Sequence, residues 1–193
     1  PVIALDLFPT ICQAAGITVP SNRKLDGKSL LPLLQGETVE QLHEYLYWDG
    51  DEGRYAIRNG DWKLVVRNDS IGLYNLAEDI GEEHDLKEMH PDKFQQLQDQ
   101  FTTWRKTCPP TLREQRTAKP KPMPVSPQRR SGTPNVLLVI CDDLNRHVTT
   151  SGYQHIKTPS LEALATRGMT FNRAYCQYPV CGPSRASFLS GVY

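Results

Sequence analysis

The sequence has 193 residues, 38% apolar and 23% charged, the balance of a soluble globular protein with a moderate core. Lys+Arg and Asp+Glu each total 22, so the net charge of zero argues against strong overall attraction to nucleic acid, and no apolar run approaches the about 20 residues of a membrane span. Five cysteines (Cys12, Cys108, Cys141, Cys176, Cys181), an odd number with no Cys-x-x-Cys pair, argue against a complete disulfide framework or a zinc knuckle.

Residues 1–36 predict two short helices. Asp6 is placed to cap the first, Pro9 falls in its first turn, Leu7, Ile11 and Ala14 repeat at helical spacing, and Gly16 ends it. Residues 29–34 predict a second helical turn, stopped by Gly36. From Glu44 the apolar period changes to two, predicting strands at 45–48, 54–58 and 62–67, with Asn59-Gly60 as the hairpin signal and 73–76 as a fourth strand. Pro91 opens a helix whose Phe94, Leu97, Phe101 and Trp104 form one apolar stripe. Residues 1–108 thus predict an α+β unit, a small antiparallel sheet covered by a helix. Asp79, Glu82, Glu83, His84 and Asp85 lack the alternating ligand spacing of a calcium loop and predict a solvated acidic turn. Trp48, Trp62 and Trp104 are expected to anchor the core rather than form a sugar platform.

The zero net charge conceals a division. Residues 1–108 carry 11 basic and 18 acidic side chains, residues 109–133 carry 6 and 1, and residues 134–193 carry 5 and 3. The middle stretch has six prolines in 25 residues and few large apolar side chains. It cannot bury enough surface to offset its ordering entropy, so an extended, mobile linker is expected, not a phosphate-binding arm.

Residues 136–140, Val-Leu-Leu-Val-Ile, predict a strand buried on both faces of a parallel sheet. It runs into Asp142-Asp143, two carboxylates placed beyond a strand's carboxyl end, where they hold a divalent cation or cap the next turn. Thr158 is expected to cap a helix with Pro159 at its first position, Leu161, Leu164 and Ala165 on one face and Gly168 at its end. Residues 169–171 restart an extended segment. Cys181 then opens a helix, with Pro183 two residues on and Arg185 one turn on. Free backbone N–H groups there attract an anion, and Arg185 adds a bidentate donor. A buried cysteine beside a capped helix is the plainer alternative.

Cys181-Gly182-Pro183-Ser184-Arg185, followed by Leu189-Ser190-Gly191, resembles the formylglycine signature of the sulfatases, Cys-x-Pro-Ser-Arg with a downstream Leu-Thr-Gly. Only Ser190 departs from it. Pro134-Asn135-Val136 through Asp142-Asp143 resembles the family's first strand and metal-binding aspartate pair, most like the iduronate-2-sulfatase-type branch. Asp6-Leu7-Phe8-Pro9-Thr10, Leu25-Asp26-Gly27-Lys28-Ser29-Leu30, Arg58-Asn59-Gly60-Asp61-Trp62-Lys63 and Leu73-Tyr74-Asn75-Leu76 resemble sulfatase C-terminal regions. A tail therefore precedes a head: 1–108 as the C-terminal region, 109–133 as linker, 134–193 as an incomplete N-terminal catalytic region. The family's central part is absent, and the start at Pro1 adds to the expectation of a piece cut from a tandem array or of an artefactual joining of two neighbours.

The resemblance implies a partial alkaline-phosphatase-like α/β fold, with a small antiparallel sheet plus helix from the C-terminal subdomain. It implies hydrolysis of sulfate esters of small molecules or glycans. Cys181 would be oxidised to formylglycine by a separate maturation enzyme that reads Pro183, Ser184 and Arg185. One hydroxyl of the hydrated aldehyde attacks sulfur, and the second expels the bound sulfate. Asp142, Asp143 and the modified Cys181 would ligate Ca²⁺, with Mg²⁺ the alternative, and Arg185 would hold the formylglycine. Periplasmic, secreted or lysosomal placement follows from the same resemblance. The alternatives are a phosphodiesterase or phosphonate monoester hydrolase of the same superfamily, or a non-catalytic sulfatase-like binding protein. With further ligands and proton donors lacking, the isolated chain is expected to be inactive.

Overall fold

The computed structural model describes residues 1–19, 24–37, 41–50, 53–108, 132, 134–141 and 144–193. The chain divides into two compact units. One combines residues 1–42 with 130–193, and the other is 43–129. The expected linker, apart from Gly132, lies outside the described residues, as do Asp142 and Asp143.

The unit of residues 43–129 is the predicted antiparallel sheet with its helix. β2 (Leu46–Asp49), β3 (Tyr55–Asn59), β4 (Trp62–Arg67) and β5 (Ser70–Asn75) pair in chain order, and α3 (Pro91–Thr107) covers them. Tyr47, Ile57, Leu64 and Leu73 stand directly opposite one another across the four strands, so they share one face. That face meets α3. Tyr47 stacks on Trp104 at 4.4 Å and Tyr55 on Phe101 at 3.9 Å, while Leu97 and Phe101 are buried with Ile57, Leu64 and Leu73. Trp62 and Trp104 are half-buried on this side, whereas Trp48, opposite Ala56, is half-buried on the other face of the sheet.

The β3–β4 hairpin turns one residue later than the Asn-Gly signal suggests. Asn59 pairs with Trp62, leaving Gly60-Asp61 as the loop, and Gly60 takes the positive φ (60°) that a first loop residue of this hand requires. The fourth strand also begins earlier than expected, because Asn68 accepts a positive φ of 51° and lets Ser70 pair with Arg67.

The acidic turn is exposed at Glu83, His84 and Asp85, as expected, and three of its carboxylates also accept hydrogen bonds. Glu82 bridges Lys63 and Arg67, Asp79 accepts the N–H groups of Glu83 and His84 at 2.8 Å each, and Asp85 accepts those of Leu73 and Lys87 at 3.0 Å each. These donors hold Asp79 below the ordinary carboxylate range. Burial pushes the Asp85 carboxyl up, but the two N–H groups and the Lys87 ammonium outweigh it and leave it lowered.

The other unit is assembled from both ends of the sequence. β1 (Val2–Ile3) pairs in parallel with β6 (Ala174–Tyr175). A 3₁₀ turn (Ala4–Asp6) leads into α1 (Leu7–Ala14), and α2 (Leu31–Leu34) packs on α1. From the second segment come α4 (Pro159–Ala165) and α5 (Cys181–Ser190), and α5 packs against the 3₁₀ turn and α1.

Asp6 does not cap α1. Its fully buried carboxylate accepts the N–H groups of Ile3 (3.0 Å) and Lys28 (2.8 Å), joining the end of β1 to the loop at Lys28 instead. Thr158 likewise makes no side-chain cap: its hydroxyl meets Thr149 Oγ1 at 2.5 Å and accepts the Thr149 N–H. α4 ends at Ala165, one turn before Gly168.

The larger departure concerns residues 136–140. They form no strand, and all five side chains are exposed, Leu137 at 86%. A parallel strand needs neighbours joined by crossover segments to supply its ladder and cover its faces. Among the described residues the only parallel pair is β1–β6, and it does not extend to this run.

Candidate active site

Val180 is extended (φ −137°, ψ 137°) and the helix begins at Cys181. Cys181 therefore occupies the first turn, as expected from the sequence, but it is an exposed free thiol rather than a buried one. Pro183 sits in the same turn, where a helix leaves N–H groups unbonded and the missing donor costs nothing. Ser184 supplies the first helical bond, N–H to Val180 O at 3.0 Å. Arg185 follows Cys181 at i+4, which sets both on one side of α5. Four of the expected site residues, Cys181, Pro183, Ser184 and Arg185, are thus brought together by a single helix.

Further along, Ser187 is buried, and its hydroxyl bonds Ser184 O at 2.8 Å, with Ser190 bonding Ser187 O at 3.2 Å. Gly191 ends the helix in the left-handed conformation (φ 72°), its N–H bonding Ser187 O at 2.8 Å.

Beyond that point the helix is fixed by the other end of the chain. Gly191 O accepts the N–H groups of Asp26 (3.0 Å) and Gly27 (3.1 Å), and the Asp26 carboxylate accepts the Tyr193 N–H at 3.0 Å. A side chain at Gly191 would press on Phe8 at 3.1 Å, and one at Gly27 would overlap the Leu5 carbonyl. The sequence assigns Asp26 and Gly27 no individual role, and Asp6 only that of a helix cap. Their short Asp and Gly motifs were visible there, but a partner more than 160 residues away was not.

Asp142 and Asp143 lie outside the described residues, so their approach to Cys181 is not part of this geometry. Among the described residues no group of three or more His, Cys, Asp or Glu side chains is placed to hold a metal ion. The described donors alone do not fit a divalent cation, which needs six or more oxygens for calcium. Also among the described residues, no helix is long and apolar enough to cross a membrane.

The Cys-x-Pro-Ser-Arg run on the first turn of α5 lies in one of two segments that match known family models. Residues 134–193 match the family model described as Sulfatase, and residues 1–107 match that of N-sulphoglucosamine sulphohydrolase, C-terminal. The chain belongs to the sulfatase family. It is 39% identical over 66 residues to a sulfatase of Formosa agariphila, covering 34% of this chain and 13% of that protein. It is 42% identical over 57 residues to iduronate 2-sulfatase of Homo sapiens, covering 30% and 10%. With the uncharacterized sulfatase YdeN of Escherichia coli it shares 28% identity over 136 residues, 50% of this chain and 24% of that one. Among solved structures, Ps i-CgsB is 29% identical with a TM-score of 0.46, over 54% of this chain and 24% of the other. The chain therefore spans a quarter or less of the length of these relatives.

Proposed function

We propose that the chain carries the N-terminal catalytic segment and the C-terminal region of a formylglycine-dependent sulfuric ester hydrolase. The observation that carries this reading is Cys181 on the first, exposed turn of α5, with Pro183, Ser184 and Arg185 in register behind it. Conversion of Cys181 to a hydrated aldehyde gives one carbon two hydroxyls: one attacks sulfur as the substrate's alcohol leaves, and the other loses its proton and reforms the C=O as the carbon–oxygen bond to the sulfate breaks. Neither a thiol nor a serine hydroxyl offers that second exit. Arg185, one turn away, offsets negative charge on the sulfate and orients the converted side chain. The exposed helix start presents unbonded N–H groups to the same anion.

The substrate class is a sulfated small molecule or glycan, supported by the naming of the similar proteins as iduronate 2-sulfatase and arylsulfatases. Asp142, Asp143 and residue 181 are our proposed ligands for Ca²⁺ or Mg²⁺, which when bound would polarise a sulfate oxygen.

Co-production with a formylglycine-generating enzyme, followed by labelling with an aldehyde-specific hydrazide, tests this reading. Labelling of the natural chain and none of Cys181→Ala is expected. Equal labelling of both, or of neither, refutes it.

A further inference from the structure

The unit containing Cys181 is built from two segments of the sequence separated by the whole of the other unit and the proline-rich stretch. We propose that residues 1–19 and 24–30 form a docking surface whose occupant is the 144–193 segment of the same chain, and that recognition between them needs no covalent connection. The tail-first order then works as a self-complementing pair, with the tail holding the helix that bears Cys181.

The contacts have the character of an interface, with main-chain complementarity at two separate points. At one, β1 pairs in parallel with β6, and the Val2 N–H bonds Arg173 O at 3.0 Å. At the other, Asp26 and Gly27 both donate to Gly191 O, and Asp26 accepts the Tyr193 N–H. Between them lie buried apolar side chains, Ile3 and Leu5, and the Phe8–Leu25 surface onto which Gly191 fits without a Cβ. Asp6 braces this surface from within the first segment, accepting the N–H groups of Ile3 and Lys28. Its neighbour contacts do the same: the Thr10 hydroxyl donates to Asp6 O at 2.5 Å and accepts the Leu30 N–H at 2.8 Å. A surface braced in this way loses little freedom when its partner docks, which favours binding without a tether.

A protease recognition sequence inserted between Ala118 and Lys119 allows the full chain to be folded first and cut afterwards. At about 10 µM, a Kd of about 1 µM keeps most of the cut material together. Size-exclusion chromatography with light scattering is expected to show both pieces eluting as one species of the intact mass. Hydrogen exchange at the Val2, Asp26, Gly27 and Tyr193 amides should stay within about threefold of the uncut chain. With Asp26→Ala the uncut chain should remain monomeric, while its cut form separates into two species. Separation of the cut natural chain overturns the proposal, as does unchanged retention of cut Asp26→Ala. Concentration-dependent doubling of the uncut chain's mass would also overturn it, by placing the partner segment in a second copy.

Discussion

Replacing Asp6 tests whether the Cys181 unit is organised around one buried carboxylate. Asp6 is fully buried and accepts two backbone N–H groups, from Ile3 at 3.0 Å and Lys28 at 2.8 Å. Hydrogen bonds to a charged group contribute about 1.5–3 kcal/mol each, so Asp6→Ala should remove about 3–6 kcal/mol. Asp6→Asn keeps one acceptor and turns an NH₂ group toward the other N–H, so its loss should be about half as large. The three tryptophans all lie in residues 43–129, which makes their fluorescence a reporter of the other unit alone. Hydrogen exchange at the Ile3 and Lys28 amides reads the perturbed unit directly. The expected result is a large loss of protection at both amides in Asp6→Ala and an intermediate loss in Asp6→Asn. Tryptophan-monitored melting should stay nearly unchanged. A loss below about 1 kcal/mol in Asp6→Ala would refute the reasoning, since even one such bond is worth more than that.

Three other predictions concern different parts of the molecule. Leu64, fully buried between Ile57 and Leu73, should cost about 2–5 kcal/mol when truncated to Ala, read as an earlier tryptophan-monitored urea transition; a change under about 1 kcal/mol would contradict the core described. Asp79 and Asp85 are held below the ordinary carboxylate range, so their stabilisation is present above about pH 4 and is lost as pH falls further through the folded-state values. The tryptophan-monitored melting temperature should therefore drop on acidification from about pH 5 to 3, less steeply in Asp85→Asn, and a flat profile would contradict the assignment. The 193-residue chain, even after conversion of Cys181, is expected to give no aryl sulfate hydrolysis above the uncatalysed blank, and measurable turnover would show that it holds a complete site.

Local pattern carried the sequence reading furthest where neighbours in sequence are also neighbours in space. The β2–β5 meander and α3 follow period-two and period-3.6 patterns over contiguous residues, and their shared face came out as that pattern implies. Turn details slipped by one to three residues because Gly60 and Asn68 each choose a register through positive φ, which composition alone does not specify. Residues 136–140 show the opposite case. Their apolarity describes a strand within a full parallel sheet, and among the described residues no such sheet surrounds them. The start of α5 at Cys181 was legible because a helix opening is encoded in adjacent residues. The anchoring of its far end was not, since Asp26 and Gly27 meet Gly191 and Tyr193 only through tertiary folding.

The central claim is that Cys181 is the precursor of the nucleophile of a sulfuric ester hydrolase. Its most direct test is peptide mass spectrometry of the Cys181-containing segment after co-production with a formylglycine-generating enzyme, comparing the natural chain with Pro183→Ala and Arg185→Ala. The account predicts the aldehyde form as the main species in the natural chain and a marked loss of conversion in both variants. An unmodified Cys181 thiol in the natural chain would contradict it.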